Sequence, residues 1–156
     1  MEALTAEEIQ KIEHEISLVP VKKAACIEAL KVVQQQRGWV SDDTLKAVAD
    51  LMDMSPAELD SVATFYNLIF RHPVGRHMIL VCDSISCWVV GYENLREYLT
   101  AKLGIQYGQT TPDGRFTMLP NVCLGCCDRA PALMIDNDLY QDLQPEQLDE
   151  ILNKYA

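Results

Sequence analysis

The sequence predicts an α+β protein: a small helical bundle over residues 1–72, then a domain over residues 73–156 with the order β-α-β followed by β-β-α. Three observations carry this. Apolar residues recur at helical spacing through the first seventy positions. The stretch from Arg71 to Arg76, with Pro73 and Gly75, interrupts that pattern and marks the domain boundary. Beyond it, short apolar runs alternate with one helical segment and several turn signals.

Each element has its own signature. Thr5 with Glu8 forms a capping box, followed by Ile9, Ile12 and Ile16 at helical spacing. A second helix fits Lys23 to Gln36, with Ile27, Leu30 and Val33 on one face and Gly38 as its stop. Ser41 caps a third, which carries Leu45, Val48 and Met52. Ser55-Pro56-Ala57-Glu58 is the clearest start: cap, proline at the first helical position, glutamate at the third. That fourth helix carries Leu59, Val62 and Ala63 into Phe65-Tyr66, whose spacing favours a core role over a partner surface.

In the second domain, His77–Cys82 reads as a buried strand. Gly91 to Lys102 reads as a helix with Leu95 and Leu99 inward and Gly104 as its cap. Pro112-Asp113-Gly114 is a turn. Arg115–Pro120 and Ala132–Asp136 read as strands, and Asn137-Asp138 turns into a short strand at Leu139-Tyr140. Pro145 opens a last helix with Leu148, Ile151 and Leu152.

Charge excludes some functions. Lys plus Arg is 13 against 23 Asp plus Glu, a net −10, and only Lys22-Lys23 forms a basic pair. Phosphate backbones repel such a surface, so nucleic acid is not the expected partner. The apolar runs Met78–Cys82 and Trp88–Val90 fall far short of the ~18 residues of a membrane span. The acidic N-terminus resembles neither a signal nor a transit peptide, so the expected compartment is the cytoplasm. There, cysteines act as metal ligands or redox thiols more often than as disulfides.

Six cysteines are present. Cys26, next to Ile27 in a helix, reads as a buried, inert thiol. Cys82 and Cys87 form a C-x4-C pair; Cys123 and Cys127 form a C-x3-C pair, with Cys126 between them. Each pair follows a strand. In a β-α-β unit the two strands run parallel, so both loops meet at one end of the sheet. Four thiolates select zinc or an iron–sulfur cluster. Zinc favours C-x2-C hooks, and only Cys123/Cys126 offers one. The wider spacings suit two irons, each taking two thiolates. A thiol–disulfide site at Cys123/Cys126 is a further reading, although thioredoxin carries its pair after the first strand, where this chain has C-x4-C. No G-x-G-x-x-G, P-loop or Ser/His/Asp set is present.

These motifs, together with Gln36-Arg37-Gly38-Trp39-Val40, Val62-Ala63-Thr64-Phe65-Tyr66, Cys82-Asp83-Ser84-Ile85-Ser86-Cys87, Thr111-Pro112-Asp113-Gly114-Arg115-Phe116 and Cys123-Leu124-Gly125-Cys126-Cys127-Asp128, give the chain a family likeness. It resembles the thioredoxin-like two-iron ferredoxin subunits of NADH:quinone oxidoreductase, the bacterial respiratory complex I. Related subunits occur in NAD-linked hydrogenases and formate dehydrogenases. The resemblance implies a thioredoxin-like second domain and one [2Fe-2S] cluster bound by Cys82, Cys87, Cys123 and Cys127. It also implies a partner subunit holding FMN and NADH, further iron–sulfur subunits in a peripheral arm, and a place on the cytoplasmic side of the membrane. Two positions depart from the family pattern. Trp88 stands where His is frequent, and its role is open between packing and contact with a partner. Cys126 stands where Asn or Ala is usual.

Overall fold

The computed structural model describes residues 3–155. The chain divides into two compact units, one ending at Pro73 and the other starting at Val74.

The first unit is helical: α1 (Ala6–Ser17), α2 (Cys26–Arg37), α3 (Asp42–Leu51) and α4 (Pro56–Phe65). Local chemistry sets the helix starts. Thr5 and Glu8 exchange both capping-box bonds, at 3.1 and 2.7 Å. Ser41 caps α3, and Ser55 with Glu58 closes a second capping box on α4. The second helix begins later than its periodicity suggests, because Lys22–Ala25 form a tighter 3-10 turn first. Ile12, Leu30, Val33, Val48, Met52, Leu59 and Ala63 make the core, each without solvent exposure. Cys26 is buried there, as expected.

Phe65 and Tyr66 correct the sequence reading. They are 79% and 43% exposed. The helix ends at Phe65, and Tyr66 turns to an extended conformation. Ile69 fills the core position instead. Gln34 pins this turn from α2: its side-chain amide donates to the Leu68 carbonyl at 2.8 Å and accepts from Phe70 N–H at 2.6 Å.

The second unit holds β1 (His77–Cys82), α5 (Ile85–Val89), α6 (Tyr92–Leu103), β2 (Phe116–Asn121), β3 (Leu133–Ile135), β4 (Asp138–Tyr140) and α7 (Leu148–Asn153). The sheet order is β2-β1-β3-β4. Strands β1 and β2 are parallel, and β1/β3 and β3/β4 are antiparallel. The α+β class and the strand order along the chain follow the sequence reading. Leu95 and Leu99 of α6 face the core with Ile79, Val81, Phe116, Met118 and Leu133. Burial of each such side chain is worth about 1.5–3 kcal/mol. Gly104 caps α6 at φ +68. Pro145–Gln147 form a 3-10 turn, so the last helix starts only at Leu148.

Candidate metal centre

The parallel register brings the two cysteine pairs together. Cys82, the last residue of β1, pairs with Asn121, the last residue of β2. Cys123 lies two residues beyond Asn121, whose side-chain amide donates to the Cys123 carbonyl at 3.0 Å. The Cys82 N–H donates to the Ala132 carbonyl at 3.2 Å. The Ala132 backbone also works against burial at the Cys87 thiol, drawing it down. The segment after the second loop therefore stitches itself to the first.

The two pairs differ in environment. Cys82 and Cys87 are 2% and 1% exposed, while Cys123 and Cys127 are exposed. Cys87 sits within the five-residue helix α5, whereas the sequence suggested a loop with a helix starting after it. Such a helix is too short to leave a periodic signal. Burial pushes the Cys87 thiol up to about 11, helped by its hydrogen-bonded neighbour Cys82. Buried thiols of this kind lose their protons to a metal rather than to water.

The second loop is shaped by Gly125. Its φ of +80 is a left-handed turn that favours glycine. That turn aims the Gly125 N–H at the Cys123 sulfur, at 3.3 Å. This bond, followed by the Cys127 thiol, holds Cys123 below the usual thiol range. Cys127 is shifted up, chiefly by Cys123. The two sulfurs are 3.8 Å apart. Two thiolates on one tetrahedral metal with bonds of about 2.3 Å stand about 3.8 Å apart. Cys126 is turned inward, 7% exposed, on the Cys87 side. Ser84 and Ser86, which spacing did not single out, contact Cys123 and Cys127.

Among the described residues, no three His, Cys, Asp or Glu side chains converge as a ready single-ion site. The donors come instead as two thiol pairs linked through Cys82, which neighbours both Cys87 and Cys123. A two-iron cluster uses thiolates in this way, two per iron. Three histidines are present, and none enters this group. The donor chemistry fits iron–sulfur binding.

Residues 12–156 match the family model described as thioredoxin-like [2Fe-2S] ferredoxin. The chain belongs to this family. The E subunit of NADH-quinone oxidoreductase from Escherichia coli is 50% identical over 152 residues, covering 97% of this chain and 92% of the relative. Its counterpart from Pseudomonas aeruginosa is 49% identical over 153 residues, covering 98% and 92%. Among solved structures, an NAD+-reducing [NiFe]-hydrogenase matches with a TM-score of 0.72 at 27% identity. That match covers 84% of this chain and 22% of the hydrogenase chain. As a thioredoxin-like [2Fe-2S] ferredoxin, the chain has a [2Fe-2S] cluster as its cofactor. The zinc-stapled and thiol–disulfide readings fall away with that membership.

The surface beside the thiols is apolar. Ile85, Trp88, Val89 and Val90 on and after α5 are exposed, as is Val122 next to Cys123. Trp88 is 53% exposed, so packing buries only part of it. Among the described residues, no helix is long and apolar enough to cross a membrane.

Proposed function

We propose that this chain is the electron-transfer subunit of an NADH:quinone oxidoreductase, with Cys82, Cys87, Cys123 and Cys127 as the ligands of its cluster. The observation that carries the oxidoreductase role is identity of about half with NADH-quinone oxidoreductase relatives along nearly the whole chain. The hydrogenase likeness is weaker in sequence, at 27%. A quinone-linked complex is therefore favoured over a hydrogenase or formate dehydrogenase. When bound, the cluster supplies one-electron transfer.

The chain's own residues position and insulate that centre. Cys82 and Cys87 anchor it in the core, and the Gly125 N–H offsets negative charge at the Cys123 sulfur. The sequence carries no nucleotide-binding loop. Hydride from NADH brings two electrons, and a two-iron centre accepts one. A partner subunit holding FMN and NADH must therefore divide the pair, passing the other electron to further iron–sulfur subunits of a peripheral arm. The exposed apolar side chains around Trp88 are the surface this reading assigns to the flavin subunit. Residues 1–72 form the helical assembly domain, and residues 73–156 the ferredoxin domain. The chain belongs to the peripheral arm of a membrane-bound complex, on the cytoplasmic side of the membrane.

The test is reduction by NADH. The purified chain with NADH alone should keep its oxidised visible spectrum. Adding the flavin subunit should bleach it, and Trp88→Ala should slow that bleaching without changing iron content. Bleaching by NADH without the partner, or flavin bound tightly to this chain, would overturn the assignment.

A further inference from the structure

The thiols at the cysteine end differ in what can reach them. Cys82, Cys87 and Cys126 are 2%, 1% and 7% exposed, whereas Cys123 and Cys127 are exposed. A small reagent arriving from solvent therefore meets Cys123 and Cys127 first.

Local chain geometry prepares that pair. The left-handed turn at Gly125 folds the chain back, and Cys127 opens a 3-10 turn in which the Arg129 N–H donates to the Cys126 carbonyl at 3.0 Å. The Cys123 and Cys127 sulfurs stand 3.8 Å apart as a result. The gap from there to a sulfur–sulfur bond of about 2.05 Å lies within one loop, beyond the end of β2 and before β3. The Gly125 N–H, 3.3 Å from the Cys123 sulfur, supports negative charge on that sulfur when it attacks. The separation that suits two thiolates on one metal thus also suits a bond between them.

We propose that, on the chain before its cluster is loaded, Cys123 and Cys127 are a redox-modification site: a low-molecular-weight disulfide such as oxidised glutathione joins them, and loading waits until a thiol reduces the bond. The proposal rests on the reading of both residues as cluster ligands. The Cys123 thiolate attacks one glutathione sulfur, forming a mixed disulfide and releasing glutathione thiolate, which takes up the Cys127 proton. The Cys127 sulfur then attacks the Cys123 sulfur and displaces the second glutathione thiolate. The two cysteines are oxidised by two electrons together, and one oxidised glutathione becomes two reduced ones. The pair is a site of modification and not a catalytic dithiol. Exposed disulfides are the labile, regulatory kind.

The test treats the full-length, unloaded chain with oxidised glutathione, without oxygen. Alkylation and peptide mapping should show free thiols falling from six to four, with Cys123 and Cys127 the two protected until reduction. Cys127→Ser should stop at a glutathione adduct on Cys123. On adding ferrous iron and sulfide, the oxidised chain should colour more slowly than the reduced chain, and the loaded fraction, mapped afterwards, should hold no Cys123–Cys127 bond. A Cys82–Cys87 bond instead, or no intramolecular bond, would overturn the proposal and leave the ligand assignment standing. Loaded chains that keep the Cys123–Cys127 bond would overturn the ligand assignment and this proposal with it.

Discussion

The helical unit and the cysteine end of the second unit treat buried polar groups in opposite ways. In the helical unit the buried Glu8 carboxylate is met by Arg37 through two 2.6 Å bonds and by the Thr5 N–H at 2.7 Å. Among the described residues, no buried side-chain polar atom of that unit lacks a partner. At the cysteine end, two buried thiols lie side by side, an exposed pair is held by a glycine turn, and the Tyr107 hydroxyl is unmatched. The first arrangement is complete as protein. The second is completed by a ligand, so iron should govern the stability of one region and pH that of the other.

The largest effect should follow removal of a core thiol. Cys82→Ala or Cys87→Ala should lower iron from about two per chain to near none, by metal analysis, while far-ultraviolet dichroism keeps its helical signal. Next comes the crowded second loop. Cys127→Ala should give empty or labile protein, whereas Cys126→Ala should keep its iron and its EPR shape. The Cys127 sulfur stands 3.8 Å from Cys123, and Cys126 is buried where Cys127 is exposed. The double variant shows whether Cys126 substitutes when Cys127 is gone. The reverse outcome, iron lost in Cys126→Ala and a native spectrum in Cys127→Ala, would exchange their roles.

Arg37→Met probes the self-contained unit. Removing one partner of a buried ion pair costs about 3–5 kcal/mol, which denaturant titration of helicity should detect with no loss of iron. The pH dependence has a defined sign. The Arg37 guanidinium holds the Glu8 carboxyl below the ordinary value of 4.5. Its contribution is full above that value and is lost as pH falls through the lower, folded value. Acid unfolding of the helices should therefore steepen below the ordinary carboxylate range in wild type and flatten in Glu8→Gln. The smallest effect is expected at Gly125→Ala. An added methyl meets nothing within 4 Å, so only the φ of +80 is strained. That strain is about 1–2 kcal/mol, and it should appear as faster cluster loss under chelator.

Much of this comparison was legible in the sequence. Caps at Thr5, Ser41 and Ser55 act within three residues of themselves, so the chain alone reveals them. Alternating apolar runs exposed the strands, and parallel pairing implied that the two cysteine loops converge. What escaped depends on distant partners. Phe65 and Tyr66 keep helical spacing, but a turn pinned by Gln34, more than thirty residues away in sequence, puts Ile69 in their place. The helix α5 is shorter than a periodic signal, and the hydroxyl of Tyr107 becomes notable only once its surroundings are known.

The central claim is that the cysteine end is a two-iron, one-electron centre. The most direct measurement is iron and acid-labile sulfide per chain on the purified full-length protein, followed by EPR on stepwise chemical reduction. The account predicts brown protein with about two irons and two sulfides, and a rhombic signal that integrates to one spin after one electron per chain. Colourless protein with stoichiometric zinc, or a centre that takes up two electrons together, would contradict it.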